Sequence, residues 1–111
     1  MDRRIELVIE QIEVDVSRAW ETAELAALVN LSASRFRHLF KEETGVSVGF
    51  YLRERRLERA ELLLRTTFLS IKEVMSEAGG SSMSHFVEDF KQRYGVTPSR
   101  YRKEVATFGK H

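Results

Sequence analysis

Apolar positions recur along almost the whole chain at intervals of three and four residues, the repeat of one helix face. No stretch shows the two-residue alternation of a convincing strand. Ile5, Val8, Ile9, Ile12 and Val16 form one stripe, which predicts a first helix over about residues 3–18. Thr22 is placed to cap a short second helix with Leu25, Ala26 and Val29 inward. Asn30-Leu31-Ser32 predicts a tight turn. Ser32 then caps a third helix that carries Phe36, Leu39 and Phe40 on one face and stops at Gly45. Ser47 starts a long fourth helix through Leu52, Leu57, Ala60, Leu63 and Leu64 to about Arg65. Ser70, with Glu73 three residues on, is a capping box for a fifth helix that Gly79-Gly80 breaks. Ser81 or Ser82 opens a sixth, with Phe86 and Phe90 inward, ending at Gly95. Thr97-Pro98, a cap followed by proline in the first turn, starts a seventh towards Val105, and the tail from Thr107 is expected to fray.

The strongest feature is an internal repeat. Ser34-Arg35-Phe36-Arg37-His38-Leu39-Phe40-Lys41 leads to Gly45-Val46-Ser47, and fifty residues later Ser84-His85-Phe86-Val87-Glu88-Asp89-Phe90-Lys91 leads to Gly95-Val96-Thr97. Each copy follows a short helix and a tight turn, which is a helix-turn-helix arrangement. The expected fold is therefore all-α: a seven-helix bundle of two helix-turn-helix subdomains joined by a long central helix.

Such a second helix fits the major groove of B-DNA, where base edges are distinguishable. Ser34, Arg37, His38 and Lys41 fall at i, i+3, i+4 and i+7, opposite the buried Phe36, Leu39 and Phe40. Arg can pair with guanine O6 and N7, while Lys and Ser suit phosphates or base edges. A solvated helix face would look the same, so this face alone does not separate the two readings. The fourth helix adds weight. At about 18 residues and ~1.5 Å per residue it is roughly 27 Å long. Neighbouring major-groove faces on one side of DNA lie about 34 Å apart. A stiff spacer of that length suits two reading heads near one helical turn apart, and an imperfect match bends the DNA at a cost on the order of 1–6 kcal/mol.

Composition narrows the classes. At 111 residues, 42% of them hydrophobic and seven of them Phe, the chain is one domain with enough apolar material for a core. Having no Cys, it can form neither disulfides nor a cysteine-based zinc site, which suits a reducing cytoplasm. No apolar run is long enough to span a bilayer, and Met1-Asp2-Arg3-Arg4 leads into an amphipathic segment rather than a signal peptide. The net charge is only +1, but residues 1–30 carry −4 and residues 31–111 carry +5. That split is compatible with one DNA-facing surface and equally with a solvated one.

The residues resemble the DNA-binding domain of AraC/XylS transcription regulators over about residues 5–103. Leu25-Ala26, Ser32, Phe36, Phe40-Lys41 and Gly45 look like the family's first unit, and Tyr51-Leu52, Arg56, Ala60 and Leu63-Leu64 like its linking helix. Ile71, Val74, Gly79, Ser84-His85-Phe86, Phe90-Lys91, Tyr94-Gly95, Thr97-Pro98-Ser99 and Tyr101-Arg102 look like its second unit and signature tail. The resemblance implies one AraC-type domain over residues 1–111. Its expected parts are a first subdomain at 1–46, a linking helix at 47–66, a second subdomain at 67–106 and a tail at 107–111.

The function implied is sequence-specific transcription regulation, usually activation, in the bacterial cytoplasm. The partners implied are double-stranded promoter DNA and RNA polymerase. Family base-contact positions carry over to Ser34, Arg37 and His38, with Arg35 nearby, and to Met83, Ser84, Val87 and Glu88. Lys41 and Lys91 complete the expected DNA-binding set. Arg56 resembles a structural arginine rather than a base reader.

Two departures matter. The family usually has Gly-Phe where this chain has Gly79-Gly80, and a small residue where it has Met75, so a core gap or looser turn is expected, with Met75 partly filling it. Glu88 puts a carboxylate where Arg or another groove-compatible residue is usual; it repels phosphate but can accept from cytosine N4. The first unit is therefore expected to dominate affinity.

The rival reading is a helical protein-interaction module on the same fold with lost or weak DNA binding, to which Glu88-Asp89 and the small net charge point. An enzyme is not expected. His38 with Glu42, and His85 with Asp89, offer two ligands each and no third or fourth, so neither a metal nor another cofactor is expected. Glu6, Glu10 and Glu13 on the outer face of the first helix read as a solvated acidic face. The chain is expected to be monomeric in isolation, either as a stand-alone regulator or as part of a longer one.

Overall fold

The computed structural model describes residues 1–108, which contain seven helices and no strand. They are α1 (Arg3–Val14), α2 (Thr22–Leu28), α3 (Ala33–Thr44), α4 (Val48–Thr66), α5 (Ile71–Glu77), α6 (Met83–Tyr94) and α7 (Pro98–Phe108). The chain divides into two compact units, one ending at Glu54 and one starting at Arg55, so α4 contributes to both.

In the first unit Ile5, Val8 and Ile12 of α1 pack with Leu25 and Ala26 of α2, Phe36 and Phe40 of α3, and Val48 and Leu52 of α4. In the second, Leu57, Ala60 and Leu64 of α4 pack with Val74 and Met75 of α5, Ala78, and Phe86 and Phe90 of α6. The spacing of Leu57, Ala60 and Leu64 repeats that of Ile5, Val8 and Ile12. The far half of α4 thus serves the second core as α1 serves the first. Each large apolar side chain so buried contributes about 1.5–3 kcal/mol.

Caps set the helix ends. The Ser32 hydroxyl accepts from the Arg35 N–H at 3.2 Å and the Ser82 hydroxyl from the His85 N–H at 3.4 Å. Ser70 and Glu73 form a reciprocal capping box. Gly45 (φ 83°) and Gly95 (φ 82°) end α3 and α6 in the left-handed conformation, where a Cβ would be strained. Arg102 donates to the carbonyls of Leu64, Thr67 and Leu69, satisfying the open end of α4 and the loop behind it.

Several expectations need correction. The first helix stops at Val14 and not near residue 18, leaving Val16 outside it. The Asp15 carbonyl accepts instead from the Arg18 N–H (3.2 Å) and the Trp20 indole (2.8 Å), a turn that diverts the chain. Glu21, not Thr22, is the N-cap of α2; its carbonyl already takes the Leu25 N–H at 3.1 Å, and no side chain caps this end. The acidic face of α1 is exposed as expected, and it carries surface pairs. Arg3 bridges Glu6 and Glu10 at 3.0 and 3.2 Å, and Glu13 accepts from the Tyr51 hydroxyl at 2.9 Å. The last helix passes Val105 to Phe108, so residues 107 and 108 are helical, and the rest of the expected frayed tail lies outside the described residues.

The two turns share one hydrogen-bond pattern. In the first, Asn30 (φ 58°) and Leu31 donate to the carbonyls of Ala27 and Ala26; in the second, Gly79 (φ 93°) and Gly80 donate to those of Ser76 and Met75. Both are Schellman motifs, which normally join an apolar residue just past the helix to one in its last turn. The first turn meets that need with a large Leu31 beyond the helix and a small Ala26 within it. The second reverses the sizes: Gly80 lies beyond the helix and Met75 within it, 8% exposed. A Cβ on Gly80 would stand 2.8 Å from Met75 Cγ. Met75 therefore occupies the space that a side chain at position 80 would enter, and the turn keeps both hydrogen bonds of the motif.

A second pairing recurs at the fifty-residue interval. Phe40 meets the Tyr51 ring edge-on (5.6 Å, 70°), and Phe90 meets Tyr101 in the same way (5.6 Å, 73°). The Tyr101 hydroxyl donates to Glu61 as Tyr51 does to Glu13. Burial, reinforced by the Glu61 carboxylate, pushes the Tyr101 phenol up to about 12.

Two outcomes are expected. Met75→Ala alone should destabilise by about 2–5 kcal/mol, and Gly80→Leu alone should also destabilise because its Cβ strikes Met75. The double variant, which copies the first turn, should lose less than the sum; additive losses in urea denaturation would rule out the size exchange. For Tyr101, the raised pKa means that the fold favours the neutral phenol. That contribution is whole below pH about 10 and is lost as pH rises towards about 12. Tyrosinate absorbance should show a late alkaline step that Tyr101→Phe removes, and persistence of the step in that variant would refute the assignment.

Candidate nucleic-acid interface

The second helix of each unit is held by its Phe pair. Phe36 and Phe40 are fully buried, and their ring centroids lie 5.8 Å apart. Phe86 and Phe90 repeat this at 6.1 Å. With about 3.6 residues per turn, burying positions four apart sends the opposite side of the helix outward. On α3, Ser34, Arg35, Arg37, His38 and Lys41 are all exposed, while Leu39 is partly buried against the first core. Among the described residues no ion pair engages Arg35, Arg37 or Lys41, so their donors face solvent.

The structure arranges this face into two adjoining clefts that share His38 and Glu42. Arg37, His38 and Lys41 line one together with Thr22, Ser47 and Gly49. Ser34, Arg35 and His38 line the other together with Arg4 and Leu31. Arg35, one of the expected contact residues, lines the second of these clefts. Arg4, Thr22, Ser47 and Gly49 were missed. Nothing local marks them, because they reach α3 only through the packing of α1, α2 and α4 around it.

On α6, Met83, Ser84, Glu88 and Lys91 are exposed, with Met83 at 37%. Val87 is only partly so, since it packs on the second core and offers a narrow apolar edge rather than a free side chain. Asp89 is half-buried and Glu88 is exposed. At the expected contact positions α6 therefore offers one carboxylate, one ammonium, a hydroxyl and apolar surface, where α3 offers two guanidiniums, an ammonium, an imidazole and a hydroxyl; Glu42 is exposed beside the α3 set and His85 beside the α6 set.

Other candidates gain nothing from the fold. Among the described residues no group of three or more His, Asp or Glu could hold a metal ion, so His38 with Glu42 and His85 with Asp89 remain pairs. Arg56 is half-buried on α4, and burial lowers the pKa of its guanidinium. No helix among the described residues is long and apolar enough to cross a membrane.

Known proteins share this architecture. Residues 25–104 match the helix-turn-helix domain family. The transcriptional regulator MtrA of Neisseria gonorrhoeae is 32% identical over 103 residues, 93% of this chain and 34% of that protein. The arabinose operon regulatory protein of Escherichia coli K12 is 33% identical over 103 residues, 92% of this chain and 35% of that protein. The chain thus spans about a third of the length of the curated relatives it matches. The crystal structure of a transcriptional regulator of the AraC-type DNA-binding-domain class from Chromobacterium violaceum superposes with a TM-score of 0.84 at 28% identity, covering 94% of this chain and 93% of that one. With two helix-turn-helix units, the repeated Phe-framed second helix and a match across most of its length, the chain belongs to the AraC/XylS family of helix-turn-helix transcription regulators.

Proposed function

We propose that the chain binds double-stranded promoter DNA with both units, α3 and α6 each entering a segment of major groove, and that the first unit supplies most of the affinity. The observation that carries this reading is the outward face of α3. A capped, Phe-anchored helix holds Arg35, Arg37, His38 and Lys41 exposed, with no ion pair among the described residues engaging Arg35, Arg37 or Lys41. Arg37 is the residue best suited to guanine, Lys41 to phosphate, and Ser34 and His38 to base edges or phosphates.

In the second unit, Ser84 and Lys91 take the phosphate and edge contacts. Met83 and the apolar edge of Val87 suit a thymine methyl, and Glu88 accepts from cytosine N4. Glu88 costs affinity through repulsion of the backbone and returns selectivity. In this reading the isolated chain is a monomer, the setting is the bacterial cytoplasm, and contact with RNA polymerase would turn DNA binding into activation. The α4 spacer of 19 residues is roughly 28 Å long.

Selection from random DNA, followed by sequencing, should return two short motifs about one helical turn apart, about 34 Å. One motif alone would demote the second unit, and none would demote DNA binding altogether. On the selected duplex, Arg37→Ala should weaken binding by about 1–3 kcal/mol and Ser84→Ala by clearly less. Equal losses would refute the asymmetry. Glu88→Ala should relax the second motif at a cytosine while leaving the first motif unchanged.

A further inference from the structure

Resting on the DNA-binding reading above, we propose that Arg4 of α1 is a phosphate-contacting residue of the first unit, its guanidinium set by Asp2 beside the outward face of α3. Thirty residues separate Arg4 from Ser34 in sequence, yet Arg4, Ser34, Arg35 and His38 line one cleft. The cleft carries one carboxylate, Glu42, against two guanidiniums.

Asp2 fixes the plane of the Arg4 guanidinium from one side. Arg4 Nε donates to Asp2 Oδ1 at 3.2 Å, and Nη2 donates to Oδ2 at 2.9 Å. Asp2 is itself anchored twice. Its N–H donates to the Glu43 carboxylate on α3, and its Oδ1 accepts from the Arg4 N–H at 2.8 Å, capping α1. A guanidinium has five N–H donors in one plane. With two committed to Asp2, the opposite edge keeps a donor on each terminal nitrogen, which matches two oxygens of one phosphate. The Arg4 side chain is 47% exposed, so that edge is reachable.

Phosphate rather than base is the target, because Arg4 belongs to a helix flanking α3 and not to the helix that reads the groove. Backbone contacts of this kind fix the register of a protein on DNA without carrying sequence information. Arg3 is the natural contrast. It has the same charge on the same helix, but it bridges Glu6 and Glu10 along the helix surface.

The test is fluorescence anisotropy against salt concentration, with the duplex recovered by selection and a shuffled duplex of equal length as probes. Arg4→Ala should make the log–log salt slope less negative by about 0.9 on both duplexes, the value for one lost phosphate contact. Arg4→Lys should keep the wild-type slope, and so should Arg3→Ala. The α1 cap uses the Arg4 backbone N–H and survives these substitutions, which thermal melting confirms independently. An unchanged slope in Arg4→Ala overturns the proposal. So does an equal change in Arg3→Ala, which would reflect net charge alone, or a loss confined to the selected duplex, which would mean base contact. Failure of the wild-type chain to bind either duplex at low salt overturns the DNA-binding reading itself, and this proposal with it.

Discussion

Everything on the outward faces depends on the burial of two pairs of phenylalanines, each pair about one helical turn apart: Phe36 with Phe40, and Phe86 with Phe90. Phe36, Phe40 and Phe90 are fully or almost fully removed from water. Losing one of these rings from a core typically costs about 3–5 kcal/mol, far more than any exposed charge could recover. The rotation of each helix about its own axis is therefore set from inside. The polar residues outside are free to vary in chemistry without altering where they point.

That separation explains how the two units diverge while keeping one architecture. Their caps, left-handed glycines and tyrosine latches repeat, but the side chains offered to solvent do not. α3 carries cations that suit a polyanion, whereas α6 mixes Glu88, Lys91 and the apolar edge of Met83 and Val87. The turns diverge within one hydrogen-bond pattern. Large-beyond-small in the first becomes small-beyond-large in the second, so the packing is conserved while the residues exchange places. Position 80 taken alone registers only an absent side chain, not the Met75 side chain that fills its place.

Local order and reading chemistry also sit on different residues. Ser32, Ser82, Gly45 and Gly95 define where α3 and α6 begin and end, and Tyr51 and Tyr101 tie each to its neighbours. None of these needs to touch a ligand. Arg4 shows the reverse case: its backbone completes a cap while its guanidinium, steered by Asp2, is left with an open edge.

The sequence by itself determined what depends on neighbours a few residues apart. Helical period, the Ser70–Glu73 box, the Gly stops and the fifty-residue repeat are local regularities, and they placed both second helices and their buried Phe pairs within a residue or two. Local signals misled where a distant group intervened: the Trp20 indole N–H donates to the Asp15 carbonyl in the turn that follows α1. Only the tertiary structure decided that Met75 fills the space beside Gly80, that Val87 is half-buried against the second core, and that Arg4 shares a cleft with Ser34 and His38. Each of these requires two segments to meet across the core, and a one-dimensional pattern contains the period of each segment but not the distance between them.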